Sequence, residues 1–591
     1  MSFHPNDVQR RARIASGVFA GAFVLLLGSF FRTQVLQSAR YVTQSEENRL
    51  REVPLPAPRG VILDRTGKVI AENLPGYSVS LLARNEDSVR VTMSRIGELM
   101  RVTPEQVGNA VRRYRREPSR PTVLFGDAAF DLVSVLEERR VEFPGLIIQS
   151  APKRFYPAGA AVAAFIGYTG EVSESELGQE RFSTYKAGQQ VGKDGIERQY
   201  ESRLRGREGS RFVEVDARGR VVRENAREDL LPEGPPPLIT NIDLDLQLAA
   251  AEIFGDSLIG GVVAMDPRTG EVLALHSAPS FDPNRFIGGI PYDYWQELQA
   301  DKRRPLYNKA IKGTYPPAST WKLATAIVAM EEGLVRINER MPTPCTGGYQ
   351  FGNRYFRCWD HKGHGDVTLA QAIEKSCDVY FYQLGLKLSL QKLVAGGIRL
   401  GMRERSGIDL PAETRPLFPT DPAKAYYDTL YGPRGWTQAV SLNLSIGQGE
   451  NSQTVVNMAR FYSALATDGS APRPEVVRGE PERKQLFKLT GSQLREIQSA
   501  LFDVVGRGTA AGSRLRGINV AGKTGTAQNS ASQTLDHAWF VGYAPAEDPQ
   551  IVVAVMLEFG LHGSRAARIA TRIMERYLHA QVISVPPTEG D

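Results

Sequence analysis

The chain has 591 residues, of which 42% are hydrophobic and 23% charged, so it can build a sizeable core and is not disordered over most of its length. Its 72 basic and 66 acidic side chains nearly balance, which leaves a net charge of +6. Arginines cluster at 112–116 and 198–227, but no zinc-finger, helix-turn-helix or RNA-binding signature accompanies them. We therefore expect several domains and no nucleic-acid partner.

The N-terminal region contains one long apolar stretch. Residues 14–31 carry no charge, and a helix of that length covers about 27 Å, close to the hydrocarbon thickness of a bilayer. Three arginines precede the stretch, and no small-residue cleavage site follows it. The pattern predicts a cytoplasmic tail at 1–13 and an uncleaved, single-pass transmembrane helix at 14–34. The remainder is then extracytoplasmic (periplasmic), tethered to the cytoplasmic (inner) membrane.

The rest of the chain divides by composition. Residues 35–230 alternate short strands, charged helical patches and many Gly and Pro breaks, which indicates an elongated α+β domain without chemistry of its own. Residues 231–237 end in three prolines and predict a linker. A second domain is expected at 238–580 and a flexible tail at 581–591.

Strand patterns in the second domain lie at its two ends. They indicate an α+β fold in which one five-stranded antiparallel sheet lies between helices. The strands are expected at 260–266, 271–276, 518–523, 538–543 and 551–557.

Ser319-Thr-Trp-Lys322 is the first of three short motifs in this domain, and it opens a helical stretch that runs to about residue 332. A serine and a lysine three residues apart share one helix face, so the amine can reach the hydroxyl. Burial would lower the pKa of such a lysine and make it a base for a serine nucleophile.

The other two motifs are Ser376-Cys377-Asp378, between helical segments, and Lys523-Thr524-Gly525-Thr526, at the end of a strand. In the third motif the glycine leaves room for a substrate backbone, while the lysine and threonines are donors for a carboxylate. Each motif alone is weak evidence. In this order, 57 and 147 residues apart, the three are typical of penicillin-binding proteins and class A β-lactamases.

From about residue 50 to 560 the sequence resembles the class B penicillin-binding proteins. Besides the three motifs, the resemblance rests on four stretches with the following sequences: Pro58-Arg-Gly-Val-Ile-Leu-Asp-Arg-Thr-Gly67, Gly192-Lys-Asp-Gly-Ile-Glu197, Ser277-Ala-Pro-Ser-Phe-Asp-Pro-Asn284 and Ile446-Gly-Gln-Gly-Glu450. The resemblance implies a non-catalytic, dimerisation-type pedestal domain followed by a transpeptidase domain.

The resemblance also implies roles for the motif residues. Ser319 would attack the penultimate D-Ala carbonyl of a stem peptide, and Lys322 would take its proton. Ser376 would pass a proton to the departing D-alanine, assisted by Lys322 and Lys523. Lys523, Thr524 and Thr526 would hold the terminal carboxylate, and the N–H groups of Ser319 and Thr526 would form the oxyanion hole. A β-lactam would acylate the same serine and remain bound.

The middle motif departs from the commonest family pattern, because it ends in Asp378 where an asparagine is usual. An aspartate cannot donate an amide N–H, so Asp378 either contacts the substrate differently or pairs with a lysine. This variant resembles the elongation-type members, penicillin-binding protein 2. The resemblance implies a SEDS-type (RodA-like) glycosyltransferase as partner, with peptidoglycan stem peptides and lipid-linked glycan strands as substrates.

The chain has three cysteines, Cys345, Cys358 and Cys377, and His364 lies between the last two. The four positions are separated by 13, 6 and 13 residues. Some penicillin-binding protein 2 members hold a zinc on ligands of similar spacing, so the resemblance implies one structural zinc here, with His361 as a substitute ligand. A Cys345–Cys358 disulfide with a buried third thiol, or three free thiols, are the alternatives.

Four functions remain open at this point. We expect an elongation transpeptidase, and the alternatives are a septal transpeptidase, a hydrolase (carboxypeptidase or β-lactamase), and a non-enzymatic activator of the partner polymerase. The membrane anchor and the large first domain argue against a hydrolase. None of these functions requires a cofactor for the chemistry.

Overall fold

A computed structural model describes residues 5–39, 41, 50–118, 120–216, 221–223, 228–255, 257–528, 536–579 and 581–582. The chain forms two compact units. The first unit comprises residues 1–58, 75–153 and 206–234, and the second comprises residues 59–74, 154–205 and 235–591. The segment limits expected from the sequence stay predictions.

One helix near the N-terminus is long and apolar enough to cross a membrane. It spans Pro5–Phe31 and continues as a π-helical turn over Arg32–Leu36. Its apolar window is fully exposed. Nothing in the described protein covers this surface, as expected for a helix whose apolar side chains face lipid.

The first unit contains a small antiparallel sheet and a helix-covered strand group. Leu50–Leu55 pairs with Gly209–Val215, which pairs with Val221–Arg223. The strands of the second group are the later part of Val69–Leu81, Thr122–Ala128 and most of Leu146–Phe155. Its helices are Glu86–Leu99, Pro104–Arg116 and Phe130–Glu138, and their apolar faces bury Val89, Met93 and Leu136 against the strands.

The second unit is built around the expected five-stranded sheet, which is confirmed and antiparallel throughout. Its order is Val272–Ala278, Gly260–Met265, Ile551–Leu557, His537–Ala544 and Ala521–Ala527. The three inner strands are buried at nearly every position because helices cover both faces of the sheet. Leu244–Phe254 and Gly563–Leu578 pack on each other and on the sheet, and Val455–Ala466 packs across its central strands.

The last strand of the sheet differs from its expected position. It begins at Ala521 rather than at residue 518, so the Lys523–Thr526 motif lies inside the strand and not at its end. Gly522 and Gly525 lower the β propensity of this segment, which hides the strand in the sequence. Pairing with His537–Ala544 determines the strand instead, with Lys523 opposite Val541.

Shorter elements complete the second unit. Its remaining helices of six or more residues are Tyr292–Ala300, Lys322–Glu331, Leu369–Glu374, Asp378–Leu388, Leu390–Arg399, Ala423–Tyr431, Ala439–Ser445 and Gly491–Gly506. Its peripheral strands pair as Ile62–Leu63 with Leu238–Ile239, Thr169–Glu171 with Gln190–Gly192, Gly348–Phe351 with Arg354–Arg357, Ser470–Pro472 with Arg483–Gln485, and Leu515–Arg516 with Gln581–Val582.

Two of the family stretches meet in a buried ion-pair cluster of the second unit. The Arg59 guanidinium lies 2.5 Å from a Glu197 oxygen and 2.7 Å from Glu201, and Arg154 lies 2.7 Å from the other Glu197 oxygen. Burial opposes ionisation of Glu197, but the two arginines outweigh it and lower the pKa of that carboxyl. The cluster thus joins chain segments about 140 residues apart.

Candidate active site and metal centre

Ser319 lies on a tight 3₁₀ turn, Ala318–Trp321, that leads into the buried helix Lys322–Glu331. Pro317 and Thr320 close the turn: the Thr320 hydroxyl donates to the Pro317 carbonyl at 2.6 Å. Ala318 has a left-handed φ of 47°, and its N–H donates to the Gly447 carbonyl at 3.0 Å. A strained backbone held from outside in this way is typical of functional sites.

Lys322 is fully buried, and three oxygens surround its ammonium group. They are the Asp378 carboxylate at 2.8 Å, the Ser376 carbonyl at 2.7 Å and the Ser376 hydroxyl at 3.2 Å. These contacts use all three donors of the ammonium. Within the described part of the chain, the Ser319 hydroxyl itself makes no hydrogen bond.

Ser376 and Asp378 reach the lysine from a turn between two helices. Ser376 has a left-handed φ of 56°, and Asp378 opens the helix Asp378–Leu388. The second carboxylate oxygen of Asp378 accepts the Trp359 N–H at 3.0 Å. Burial raises the pKa of Asp378, while Lys322 acts in the opposite direction. Asp378 thus fills the lysine-pairing role that the sequence left open.

The Lys523–Thr526 strand approaches this group from the edge of the sheet. Lys523 is fully buried, and desolvation, followed by repulsion from Lys322, lowers its pKa well below the ordinary value. A Cβ added to Gly525 would lie 3.0 Å from the Pro317 carbonyl, so the glycine lets the strand lie against the serine turn. Thr526 is exposed beside it, as a group that contacts an incoming ligand must be.

Thr524 already has a partner. Its hydroxyl lies 2.6 Å from the hydroxyl of Thr509, which follows the helix Gly491–Gly506. Thr509, Gly447 and Trp359 are site residues that the motif search does not single out. The stretch 446–450 offered a signal for Gly447 only, since it was one of the family-like segments.

The three cysteines and His364 converge directly behind the Ser376 turn. Their ligand atoms all lie within 4.8 Å of one another. His364 Nδ1 is 3.6 Å from Cys345 Sγ and 3.5 Å from Cys358 Sγ. A tetrahedral zinc with ordinary Zn–S and Zn–N bond lengths places such a sulfur and nitrogen about 3.6 Å apart. The cluster therefore has the size and the donor set of a structural zinc site.

The three thiols of this cluster differ in acidity, and burial raises the pKa of Cys345. All three cysteines are free, and they are buried. A hydrogen bond from Cys377 is the main reason why the pKa of Cys358 is lowered, and Lys322 contributes to the shift. The same hydrogen bond and burial raise the pKa of Cys377. Three sulfur donors and an imidazole are ligands that suit zinc.

Two family models match the chain. Residues 260–575 match the penicillin-binding protein transpeptidase domain, and residues 54–232 match the penicillin-binding protein dimerisation domain. The chain belongs to the penicillin-binding protein transpeptidases, in the class B arrangement. It is a serine-type D-Ala-D-Ala transpeptidase.

The chain is also similar in sequence to individual proteins of this family. The chain is 32% identical to the peptidoglycan D,D-transpeptidase MrdA of Acinetobacter baumannii, over 98% of this chain and 89% of that protein. It is 29% identical to MrdA of Escherichia coli K12, over 96% and 94% respectively. Stage V sporulation protein D of Bacillus subtilis is also similar, at 26% identity over 96% of this chain and 86% of that protein.

Solved structures of penicillin-binding protein 2 share the fold. The protein from Helicobacter pylori in complex with MreC is 27% identical, with a TM-score of 0.77 over 90% of this chain and 99% of that one. A chain of a peptidoglycan synthase complex that coordinates polymerization and crosslinking is 29% identical, with a TM-score of 0.70 over 98% and 99%. The chain thus shares its fold and much of its sequence with penicillin-binding protein 2.

Proposed function

We propose that this transpeptidase cross-links peptidoglycan stem peptides during cell-wall elongation and the maintenance of cell shape, anchored by its N-terminal helix in the cytoplasmic membrane. The observation that carries the proposal is the convergence of three distant motifs at one end of the central sheet. Lys322 bonds Ser376 and Asp378 one helical turn from Ser319, and the Lys523 strand lies against the same turn.

In the proposed reaction Ser319 Oγ attacks the penultimate D-Ala carbonyl carbon, and its proton goes to Lys322 Nζ. The Ser376 hydroxyl passes a proton to the nitrogen of the leaving D-alanine as the peptide bond breaks. An amine of a neighbouring stem then attacks the acyl-enzyme ester and regenerates Ser319. An ammonium cannot accept this proton, so Lys322 must first be neutral, and the proton it gives up passes to the adjacent Asp378 carboxylate, whose pKa burial raises.

The carboxylate of the substrate would be held by Lys523, Thr524 and Thr526, with the N–H groups of Ser319 and Thr526 as the oxyanion hole. One such donor is typically worth about 100- to 1000-fold in rate. Burial and repulsion from Lys322 lower the pKa of Lys523, and a bound carboxylate would act in the opposite direction. We therefore expect an anionic ligand to raise the pKa of Lys523 when it binds.

Intact-mass analysis with a fluorescent penicillin tests the chemistry. We expect one adduct per chain in the wild type and none in Ser319→Ala. Ser492→Ala, which replaces an exposed serine of the same unit, is the control and should also carry one adduct. Folded wild-type protein that takes up no label would contradict the proposal.

The elongation role rests on the similarity to MrdA and to structures with MreC and a synthase complex. We infer a SEDS-type, RodA-like glycosyltransferase as the partner. Co-purification with a RodA-like polymerase, followed by glycan synthesis assays, checks this. Stimulation of the polymerase by Ser319→Ala would separate activation from cross-linking, and preferential binding to a division polymerase would favour the septal alternative.

We also propose that Cys345, Cys358, His364 and Cys377 hold one zinc ion. When bound, the ion would supply only structural support, since four protein ligands leave no open position. Cys377 lies between Ser376 and Asp378, so the site would fix the turn that presents both residues to Lys322. Elemental analysis should find one zinc per chain in wild type and less than about a tenth of that in a Cys358→Ser/His364→Ala double variant. Equal metal content in the two proteins would contradict the site.

A further inference from the structure

Trp359 contacts the turn that carries Ser376 from the outside. It lies two residues after the strand Arg354–Arg357, and it is 56% exposed. A single exposed aromatic residue is ordinary on a protein surface. Trp359 differs from the ordinary case because it makes hydrogen bonds to residues on both sides of Ser376.

The two hydrogen bonds use both donors of the tryptophan. Its backbone N–H donates to an Asp378 carboxylate oxygen at 3.0 Å, and its indole Nε1–H donates to the Lys375 carbonyl at 3.1 Å. Lys375 caps the C-terminal end of the helix Leu369–Glu374, where carbonyls have no partner within the helix. The indole therefore supplies a donor that the helix itself lacks. One residue thus holds the chain immediately before Ser376 and again two positions after it.

The segment that carries Trp359 is itself anchored. The Tyr382 hydroxyl, on the helix Asp378–Leu388, donates to the Arg357 carbonyl at 3.0 Å. The Trp359 ring packs on His364, with the ring centroids 5.3 Å apart. The indole is therefore fixed on its own side as well as at Lys375, so it can restrict the position of the turn.

Ser376 depends on such support because its backbone is strained. Its φ of 56° lies in the left-handed region, and a non-glycine residue keeps that conformation only where the surrounding structure holds it. The Ser376 hydroxyl lies 3.2 Å from Lys322 Nζ, at the long end of the hydrogen-bond range. A small movement of the turn would therefore break this contact.

From these contacts we infer that Trp359 is a positioning residue for the transpeptidase reaction. Its indole N–H holds the Ser376 turn at the distance from Lys322 that proton transfer requires. The inference rests on the role proposed above for Ser376, and it adds a residue that lies outside the three motifs. The loss of the indole donor should slow acylation rather than weaken ligand binding, because the donor is directed at the turn.

Trp359→Phe tests the inference, because phenylalanine keeps an aromatic ring at this position but has no N–H donor. The dissociation constant of the noncovalent complex (Kd) and the acylation rate constant are measured with a fluorescent penicillin on the full-length, detergent-solubilised protein. We expect the acylation rate constant to fall about tenfold and Kd to stay within about twofold of the wild type.

Tyr355→Phe is the matched control. Tyr355 is 52% exposed on the strand that precedes Trp359, and among the described residues its hydroxyl has no hydrogen-bond partner. Both constants should therefore equal those of the wild type. The thermal unfolding and the zinc content of Trp359→Phe should also match the wild type, which separates a displaced turn from an unfolded protein or a lost metal ion.

A measurement on the wild type checks the hydrogen bond itself. The indole N–H resonance of Trp359, identified by its loss in Trp359→Phe, should exchange with solvent at least tenfold more slowly than that of free tryptophan. Exchange as fast as in free tryptophan would overturn the inference, as would acylation of Trp359→Phe at the wild-type rate. A rise in Kd alone would also overturn it, because Trp359 would then be a ligand contact. None of these results bears on the proposed function, which is tested by labelling of Ser319 in the wild type.

Discussion

Replacing Gly447 by alanine should slow acylation of Ser319 about 100-fold without unfolding the protein. Gly447 has a φ of 75°, and an added Cβ would lie 2.3 Å from the Ala318 carbonyl oxygen and 2.6 Å from Trp321 Cβ. Neither atom belongs to the flexible end of a side chain. The serine turn or the Gly447 turn must therefore move by roughly 1 Å, a displacement that can cost about 100-fold in rate when it separates reacting groups.

Gly449→Ala is the matched control. Gly449 has a φ of 74°, so an alanine there costs the same left-handed backbone strain of about 1–2 kcal/mol. Its Cβ would contact only Asn443 Cβ, at an ordinary van der Waals distance of 3.6 Å. The assay is the second-order rate of labelling by a fluorescent penicillin, with thermal unfolding measured in parallel. Gly449→Ala should label within about twofold of wild type. If both variants label equally fast, the Gly447 contact does not hold the serine turn.

Three further predictions follow from buried charges. Asp378→Ala leaves the buried Lys322 ammonium without its carboxylate and should lower the free energy of unfolding, measured with denaturant, by about 3–5 kcal/mol. Asp378→Asn should lower it less, because the amide oxygen still accepts a hydrogen bond from Lys322. Equal losses in the two variants would argue against the ion pair. Lys523 has a lowered folded-state pKa, so between that pKa and about 10.4 the unfolded chain binds more protons and stability rises with pH. Lys523→Met should reduce that rise in thermal unfolding from pH 7 to 10.5 without removing it, because burial also lowers the pKa of Lys309 to about 8; an unchanged rise would show that Lys523 does not contribute. Glu197→Gln removes the carboxylate that pairs with the buried guanidiniums of Arg59 and Arg154, and it should lower the free energy of unfolding by about 3–5 kcal/mol. A loss below about 1 kcal/mol would show that these ion pairs contribute little to stability.

Local patterns predicted much of the fold and the motif residues. The serine and lysine of the first motif are neighbours on one helical turn, and alternating or continuous apolar runs mark four of the five sheet strands. The start of the fifth strand was predicted three residues too early. Its glycines are required by contacts with the serine turn and with the paired strand His537–Ala544, and sequence periodicity does not detect such contacts.

Contacts between distant segments were harder to predict. Thr509 hydrogen bonds Thr524 and Trp359 hydrogen bonds Asp378, yet neither belongs to a spaced motif. Which lysine pairs with Asp378 was also left open, since spacing alone favours contact of Lys322 with Ser319. A buried ammonium takes the nearest carboxylate, and only the tertiary fold brings Asp378 within 2.8 Å.

The parallel pairing of Ile62–Leu63 with Leu238–Ile239 has a consequence for biogenesis. Asp64, in the turn after the first of these strands, accepts the Leu244 N–H at 3.2 Å and so contacts the start of the helix Leu244–Phe254. Ile62–Leu63 also pairs antiparallel with Val69 and Ala71 nearby in the chain, so during folding only its other edge has to wait for Leu238–Ile239. A secreted fragment starting at residue 238 would lack this early strand altogether. We expect such a fragment to be prone to aggregation, because Leu238–Ile239 would lose the strand it pairs with and expose a free edge.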